Sequence, residues 1–151
     1  MKPFRFRLEQ VLKLRIRDRD ARRGELAQAQ QAAEVLRGQM NDLRVEIESI
    51  RARTVADTRP GLVNVDRLLN SHRFELLLKA QLGELQRRAV QIEAEVQRRR
   101  QRLVEADQQV KVLEQLREKQ LAEDLRVRLR DEQKGFDELA GRAYWKQNAP
   151  P

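Results

Sequence analysis

Several features of globular and catalytic proteins are scarce or missing in this 151-residue sequence. It has no cysteine, one histidine, four prolines and 4% aromatic residues. The lack of cysteine excludes a disulfide framework and a cysteine-based metal site. Its six glycines are isolated, which excludes a glycine-rich phosphate loop. No run approaches the roughly 18 apolar residues of a membrane-spanning helix, and 37% charged residues argue against a globular core.

The single histidine offers no catalytic arrangement. Ser71 and His72 are neighbours in the chain, and adjacent side chains in a helix point about 100° apart. A nucleophile and its base must lie within hydrogen-bond reach and need a third orienting group, which the sequence does not supply. We therefore expect no enzyme, no metal site and no cofactor.

What the sequence does contain is a long apolar seam. Between Leu26 and Thr54, apolar residues recur at alternating spacings of three and four, the heptad pattern of a coiled coil. A single helix cannot bury this stripe, so a second helix must lie along it. The seam positions are Leu26, Ala29, Ala33, Leu36, Met40, Leu43, Ile47, Ile50 and Thr54.

A second seam follows the one strong helix breaker in the interior, Pro60-Gly61. Asn64 is the expected N-cap of the second helix, and towards the turn we place the seam on Leu69, His72 and Leu76. Farther along, with Arg99 as its one charged member, the seam comprises Leu82, Leu85, Ala89, Ile92, Val96, Arg99, Leu103, Ala106, Val110 and Leu113.

These patterns predict an all-α fold in which two long helices form an antiparallel coiled-coil hairpin, because a short connection makes the helices antiparallel neighbours. The predicted bounds are about 4–55 for helix one, 56–63 for the turn and 64–145 for the longer helix two. Residues 1–146 would form a single rod and 147–151 a disordered tail.

Two groups of apolar residues are predicted to be exposed, and such groups generally mark interaction surfaces. The first is the unpartnered end of helix two, from Leu121 to Trp145, for which fraying and self-association are the alternatives. The second is Phe74 with Leu77 and Leu78. We expect replacement of Phe74 and Leu78 by Ala to leave stability nearly unchanged.

The excess of basic residues leaves several interpretations open. With 32 Lys and Arg against 24 Asp and Glu, mixed along nearly every turn, intrahelical ion pairs on a solvated surface are the first interpretation. A nucleic-acid-binding coiled coil would use Arg98-Arg99-Arg100 and the stretch 15–23, and its binding would depend steeply on salt. The amphipathic residues 1–23 could lie on a membrane; docking against another helix is the interpretation we favour.

Both ends of the chain resemble a known family. Residues 4–15 read FRFRLEQVLKLR and residues 130–143 read RDEQKGFDELAGRA. These blocks resemble the ends of the flagellar export protein FliJ family, and chain length, breaker position and unequal helices agree with it.

The resemblance implies a noncatalytic, stalk-like part of the flagellar type III export apparatus. Such a protein would insert into the ring of the export ATPase FliI, stimulate it, contact the export gate FlhA and escort export chaperones, with the ATPase regulator FliH as a further partner. It would be cytoplasmic, held peripherally at the inner membrane by its partners, and would bind no nucleic acid.

The family's gate-binding surface carries over to five apolar positions, although Gln81, Arg44 and Arg51 depart from its pattern. The matching residues are Phe74, Leu78, Leu85, Met40 and Ile47. For the ATPase ring, the candidates are the basic and aromatic residues at the open end of the hairpin, namely Arg5, Arg7, Lys13, Arg128, Arg130, Lys134, Phe136 and Arg142.

The hairpin makes a prediction for the free protein in dilute solution. At 1.5 Å per residue the second helix is about 120 Å long, so small-angle scattering should give a maximum dimension near that length for a mostly helical monomer. A compact particle, or a stable parallel dimer, would contradict the hairpin.

Overall fold

The protein consists of two α-helices in a computed structural model that describes residues 3–61 and 63–148. Helix α1 spans Glu9–Asp57 and helix α2 spans Val65–Gln147, with 49 and 83 residues. No strand occurs among the described residues, and neither described helix has a stretch apolar enough to cross a membrane. The predicted helical hairpin with a longer second helix is confirmed. Of the predicted tail, residues 149–151 lie outside the described range.

The connection between the helices uses the expected turn chemistry. The Thr58 hydroxyl donates a hydrogen bond of 2.8 Å to the carbonyl of Val55, which closes the end of α1. Gly61 has a φ of +128°, a conformation that L side chains rarely adopt. Asn64 Oδ1 accepts hydrogen bonds from the backbone N–H groups of Asp66 and Arg67, at 3.1 and 3.3 Å. Asn64 is therefore the N-cap of α2, as predicted.

The chain divides into two compact units, of which one is Asp20–Val104. Within it, Leu26 and Ala29 share a buried cluster with Val96, and Ile47 shares another with Leu78. Higher numbers on α1 thus meet lower numbers on α2, so the helices pack antiparallel here. The residue numbers that meet add up to about 125, as Ala29 with Val96 and Ile47 with Leu78 show.

The other unit contains the described residues 3–19 and 105–148. Its core joins Phe6 and Leu12 to Val110, which is fully buried. Glu9 of α1 lies 3.8 Å from Arg117 of α2, so the pairing is antiparallel in this unit as well. That residues 1–146 form a single rod stays a prediction.

Helix α1 begins at Glu9, later than the predicted residue 4. Phe6 is buried in the cluster with Leu12 and Val110, and Phe4 packs against the same cluster. Residues two apart face the same side in an extended segment but point apart in a helix. Residues 3–6 are not helical, and a turn in which the N–H of Glu9 donates to the carbonyl of Phe6 at 3.2 Å leads into α1. This nonhelical path lets both rings pack against α2, in keeping with the favoured docking of this segment.

The predicted seam at the start of α2 is wrong. Leu69 and Leu76 are 48% and 52% exposed, and His72 is exposed as well. The positions that face α1 are Leu68, Ser71, Glu75 and Leu78, which are buried or half-buried. They continue the spacing of three and four that leads to Leu82, so the seam keeps its phase although two of its members are polar.

This register predicts opposite results for two neighbouring leucines. Leu78 is 4% exposed, whereas Leu77 is 53% exposed. Leu78→Ala should lower the free energy of unfolding by about 2–5 kcal/mol, because it leaves a cavity in the core. Leu77→Ala should change it by no more than about 0.5 kcal/mol.

Chemical denaturation of the two variants checks this pair. Equal losses of stability in both would contradict the register.

Candidate interaction surfaces

A polar cluster occupies the seam near the turn. The Glu75 side chain is 15% exposed, and one of its oxygens, Oε1, lies 2.8 Å from Nε of Arg51 and 2.8 Å from Nζ of Lys79. Because a cation from each helix neutralises the carboxylate, it can sit at a seam position without being an uncompensated charge.

These contacts shift the acid-base properties of the cluster. The hydrogen bonds from Lys79 and then from Arg51 lower the pKa of Glu75 from 4.5 to about 2. In return, the hydrogen bond to Glu75 raises the pKa of Arg51. Both shifts favour the charged forms, so the cluster is an ion pair throughout the physiological pH range.

Keeping Glu75 in the seam leaves apolar residues on the outside of α2. Leu69, Leu76 and Leu77 are each about half exposed, and Val65, one turn before Leu69, is 63% exposed. Arg73 stands among them, four residues after Leu69 and three and four before Leu76 and Leu77, spacings that make helical neighbours. We call this surface the leucine patch: Val65, Leu69, Arg73, Leu76 and Leu77.

A groove of about 450 Å³ runs between the helices in the same unit. Leu43 and Leu85 supply its apolar lining. Its rim is polar and bears more acids than bases, with Glu84 paired to Arg87 and Arg88. The contact with Arg87 lowers the pKa of Glu84. The lining residues are Gln39, Asp42, Leu43, Glu46, Gln81, Glu84, Leu85 and Arg88.

The last part of α2 is helical but is not covered by α1. Between Arg117 and Asn148 every described residue is exposed except Asp124 and Arg128, which are half-buried and lie 2.7 Å apart. A row of apolar side chains runs along one face of this segment, and we call it the C-terminal stripe. It comprises Leu121, Leu125, Leu129, Phe136 and Leu139, which are 39–71% exposed.

The basic run in the middle of α2 is engaged within the protein. Arg98 lies 2.6 Å from Glu95, and Arg99 donates to Glu95 at 2.9 Å and to the backbone carbonyl of Glu25 at 2.6 Å. The hydrogen bonds from Arg99 and then Arg98 lower the pKa of Glu95. Two of the three arginines thus already have carboxylate partners, which weakens the nucleic-acid alternative because phosphate binding needs available cations.

The fold and the exposed surfaces define the class of protein: two helices that present apolar and charged surfaces for contact with other molecules. Among the described residues, no three His, Asp or Glu side chains come together as a metal site would require. Comparison with known families assigns the chain more closely: the model described as "Flagellar FliJ protein" matches residues 4–149, and the chain belongs to this family. It is therefore a component of the flagellar export apparatus. No curated protein and no solved structure matches the chain.

The residues predicted to bind the gate fall into two groups. Leu78 and Ile47 are 4% and 6% exposed and share one core cluster, so the expected exposure of Leu78 is wrong and neither side chain is available to a partner. Phe74 is 45% exposed, while Met40 and Leu85 are half-buried. Only these three can contribute to a surface.

The residues predicted to bind the ATPase ring are nearly all accessible. Phe136 is 71% exposed, and Arg128 is the exception because it is half-buried beside Asp124. The remaining six are exposed, namely Arg5, Arg7, Lys13, Arg130, Lys134 and Arg142. Of the leucine patch only Leu77 was predicted to be exposed, although counting the seam backwards from Leu82 would have shown that Leu69 and Leu76 also face outwards.

The Glu75 cluster predicts a specific pH dependence. Because the pKa of Glu75 is lowered from 4.5 to about 2, its contribution to stability is complete above pH 4.5 and is lost as the pH falls from there to about 2. An NMR titration of the side-chain carboxyl should give a midpoint near 2, which Lys79→Gln should raise.

Glu75→Gln is the control for the stability measurement, since it should remove this part of the acid dependence. A Glu75 midpoint at 4.5 in the unmodified protein would contradict the cluster.

Proposed function

We propose that this protein is the stalk-like coupling element between the export ATPase ring and the export gate at the cytoplasmic face of the inner membrane. The observation that carries the proposal is the uncovered end of α2, where the 30 residues from Glu118 to Gln147 keep helical structure without a partner helix. Most of the stability of a helix comes from packing of its apolar face, so a partner protein that covers this end would stabilise it.

The open end fits the inside of a protein ring for a physical reason. Arg5, Arg130 and Arg142 are exposed, on long side chains that can exchange partners. Exposed ion pairs contribute only about 0–1 kcal/mol each. Many such contacts would hold the helix in the ring of FliI without fixing one orientation, and Phe136 would add an apolar contact.

Removing this end tests the ring contact. The core residues Phe6, Leu12, Val110, Leu113 and Leu116 all precede residue 123, so truncation after Glu123 should leave both units folded. Stimulation of ATP turnover by the purified FliI ring should be abolished. Full stimulation by a folded truncated protein would show that another part enters the ring.

Charge reversal separates electrostatic contact from mere helix length. Arg130→Glu with Arg142→Glu should weaken stimulation more at low than at high salt, because exposed charges are screened beyond about 10 Å at 0.1 M. Arg23→Glu with Arg44→Glu is the matched control, since these exposed residues lie in the other unit and make the same charge change.

For the gate, we propose that Phe74 and the groove beside Leu85 form the contact with FlhA. Phe74 is the most exposed of the five predicted gate residues, and aromatic side chains are frequent anchors at interfaces. Export chaperones, and FliH as ATPase regulator, complete the proposed partners. The proposed role requires no catalytic residue.

Phe74→Ala should weaken capture of the cytoplasmic domain of FlhA while changing stability by no more than about 0.5 kcal/mol. Val45→Ala, which shortens a residue that is 64% exposed on α1, is the control. Unchanged capture by the Phe74 variant in a binding assay would remove Phe74 from the gate contact.

A further inference from the structure

Two charged side chains without an ion-pair partner among the described residues lie beside exposed apolar residues. The first is Arg73 in the leucine patch. None of its helical neighbours at spacings of three and four is charged, namely Leu69, Asn70, Leu76 and Leu77, and the ion pairs of the described residues do not include it. Asp66 lies two turns earlier on the same side of α2. A cation surrounded by exposed leucines favours a partner that brings a carboxylate together with apolar side chains.

The second is Glu132 in the C-terminal stripe. It follows Leu129 by three residues and precedes Phe136 by four, and Leu125 and Leu139 lie two turns away on the same face. Arg128, four residues before Glu132, is half-buried and paired with Asp124. These four apolar side chains are 51–71% exposed. Within the described part of the chain, Glu132 is in no ion pair.

The two surfaces complement each other in order and in charge. Valine, leucine, arginine and leucine at 65, 69, 73 and 76 are spaced by four, four and three; leucine, leucine, glutamate and phenylalanine at 125, 129, 132 and 136 are spaced by four, three and four. Two helices that cross with Arg73 opposite Glu132 therefore place apolar side chains together on both sides of the ion pair. The two rows can pair in a parallel or an antiparallel arrangement of the helices, because both rows have apolar residues before and after the charged residue.

We propose that the leucine patch of one copy of this protein binds the C-terminal stripe of a second copy, through an Arg73–Glu132 ion pair flanked by apolar contacts. The contact is heterologous, since it joins two different surfaces, and each pair of copies retains one free patch and one free stripe. Association should therefore be open-ended and rise with concentration. Each row contributes four side chains, fewer than the roughly 20–30 residues that each partner contributes to a standard interface, so the contact is weak.

Self-association would cover the stripe that includes Phe136. A copy bound in this way could not present that face to another partner, so the contact would compete with any protein that uses the end of α2. The proposal does not depend on the proposed function, because association of the protein alone involves neither ring nor gate. Phe136 is assigned to both contacts, but Arg73 and Glu132 are assigned only to this one.

Sedimentation equilibrium of the full chain between roughly 10 μM and 1 mM, the range of weak complexes, tests the proposal. The unmodified protein should associate, and Arg73→Glu or Glu132→Arg alone should weaken association by about tenfold or more, because each brings like charges together. The double variant, carrying both reversals, should regain association to within about threefold of the unmodified protein, since the pair is restored with its signs exchanged.

Mixing the two single variants gives a sharper outcome. The Arg73→Glu copy carries glutamate at both positions and the Glu132→Arg copy carries arginine at both, so each contact between unlike copies joins opposite charges. Neither variant should associate by itself, and the mixture should regain open-ended association in which the two variants alternate. The controls are Arg67→Glu and Glu138→Arg, which make the same charge changes on other sides of α2 and should leave association unchanged.

Circular dichroism of every variant should show unchanged helicity, because all four residues are exposed. An unmodified protein that stays monomeric up to 1 mM would overturn the proposal, as would a double variant no better than the single ones. Equal weakening by the control variants would also overturn it, since it would show dependence on net charge alone.

Discussion

The constraint on which the rest of the structure depends is the unbroken phase of the seam in α2. A stripe with an average spacing of 3.5 residues must face its partner helix throughout, because a change of phase would turn every later apolar residue towards water. The phase set by Leu82 and Val96 extends to the turn even though it puts Ser71 and Glu75 against α1. Arg51 and Lys79 make this tolerable by neutralising the carboxylate. The same phase turns Leu69, Leu76 and Leu77 outwards.

The second constraint is the inequality of the helices. With 49 residues against 83, α1 cannot cover all of α2, and the remainder keeps its own apolar stripe exposed. A protein of this design presents exposed apolar and charged surfaces that are suited to contacts with other proteins. Membership of the flagellar FliJ family agrees with this, and the accessible cations at the end of α2 are suited to contacts that must be exchanged easily.

Much of this architecture could be predicted from the sequence. Regular spacing predicted the seam from Leu26 to Thr54, and turn chemistry predicted the cap at Asn64.

Two predictions failed because apolar character was given more weight than geometry. Phe4 and Phe6 were assigned to a helix, although residues two apart point to different sides of a helix and both rings pack against one cluster. Leu78 was taken as exposed because polar Ser71 and Glu75 concealed the seam that leads to it. The ion pair of Glu75 with Lys79 is a local one, but the pair with Arg51 joins residues 24 apart in the chain, so no local pattern could show that a cation of α1 reaches this carboxylate.

The central claim is the register between α1 and α2, and a disulfide test addresses it directly because the chain has no cysteine of its own. Positions 54 and 71 meet in this register, since their numbers also add up to about 125, whereas Leu69 faces outwards. Two cysteines form a disulfide only when their Cα atoms are within about 7 Å. Oxidation of the double variant Thr54→Cys with Ser71→Cys should give an intramolecular disulfide, and Thr54→Cys with Leu69→Cys should not. Cross-linking of the second pair without the first would contradict the account.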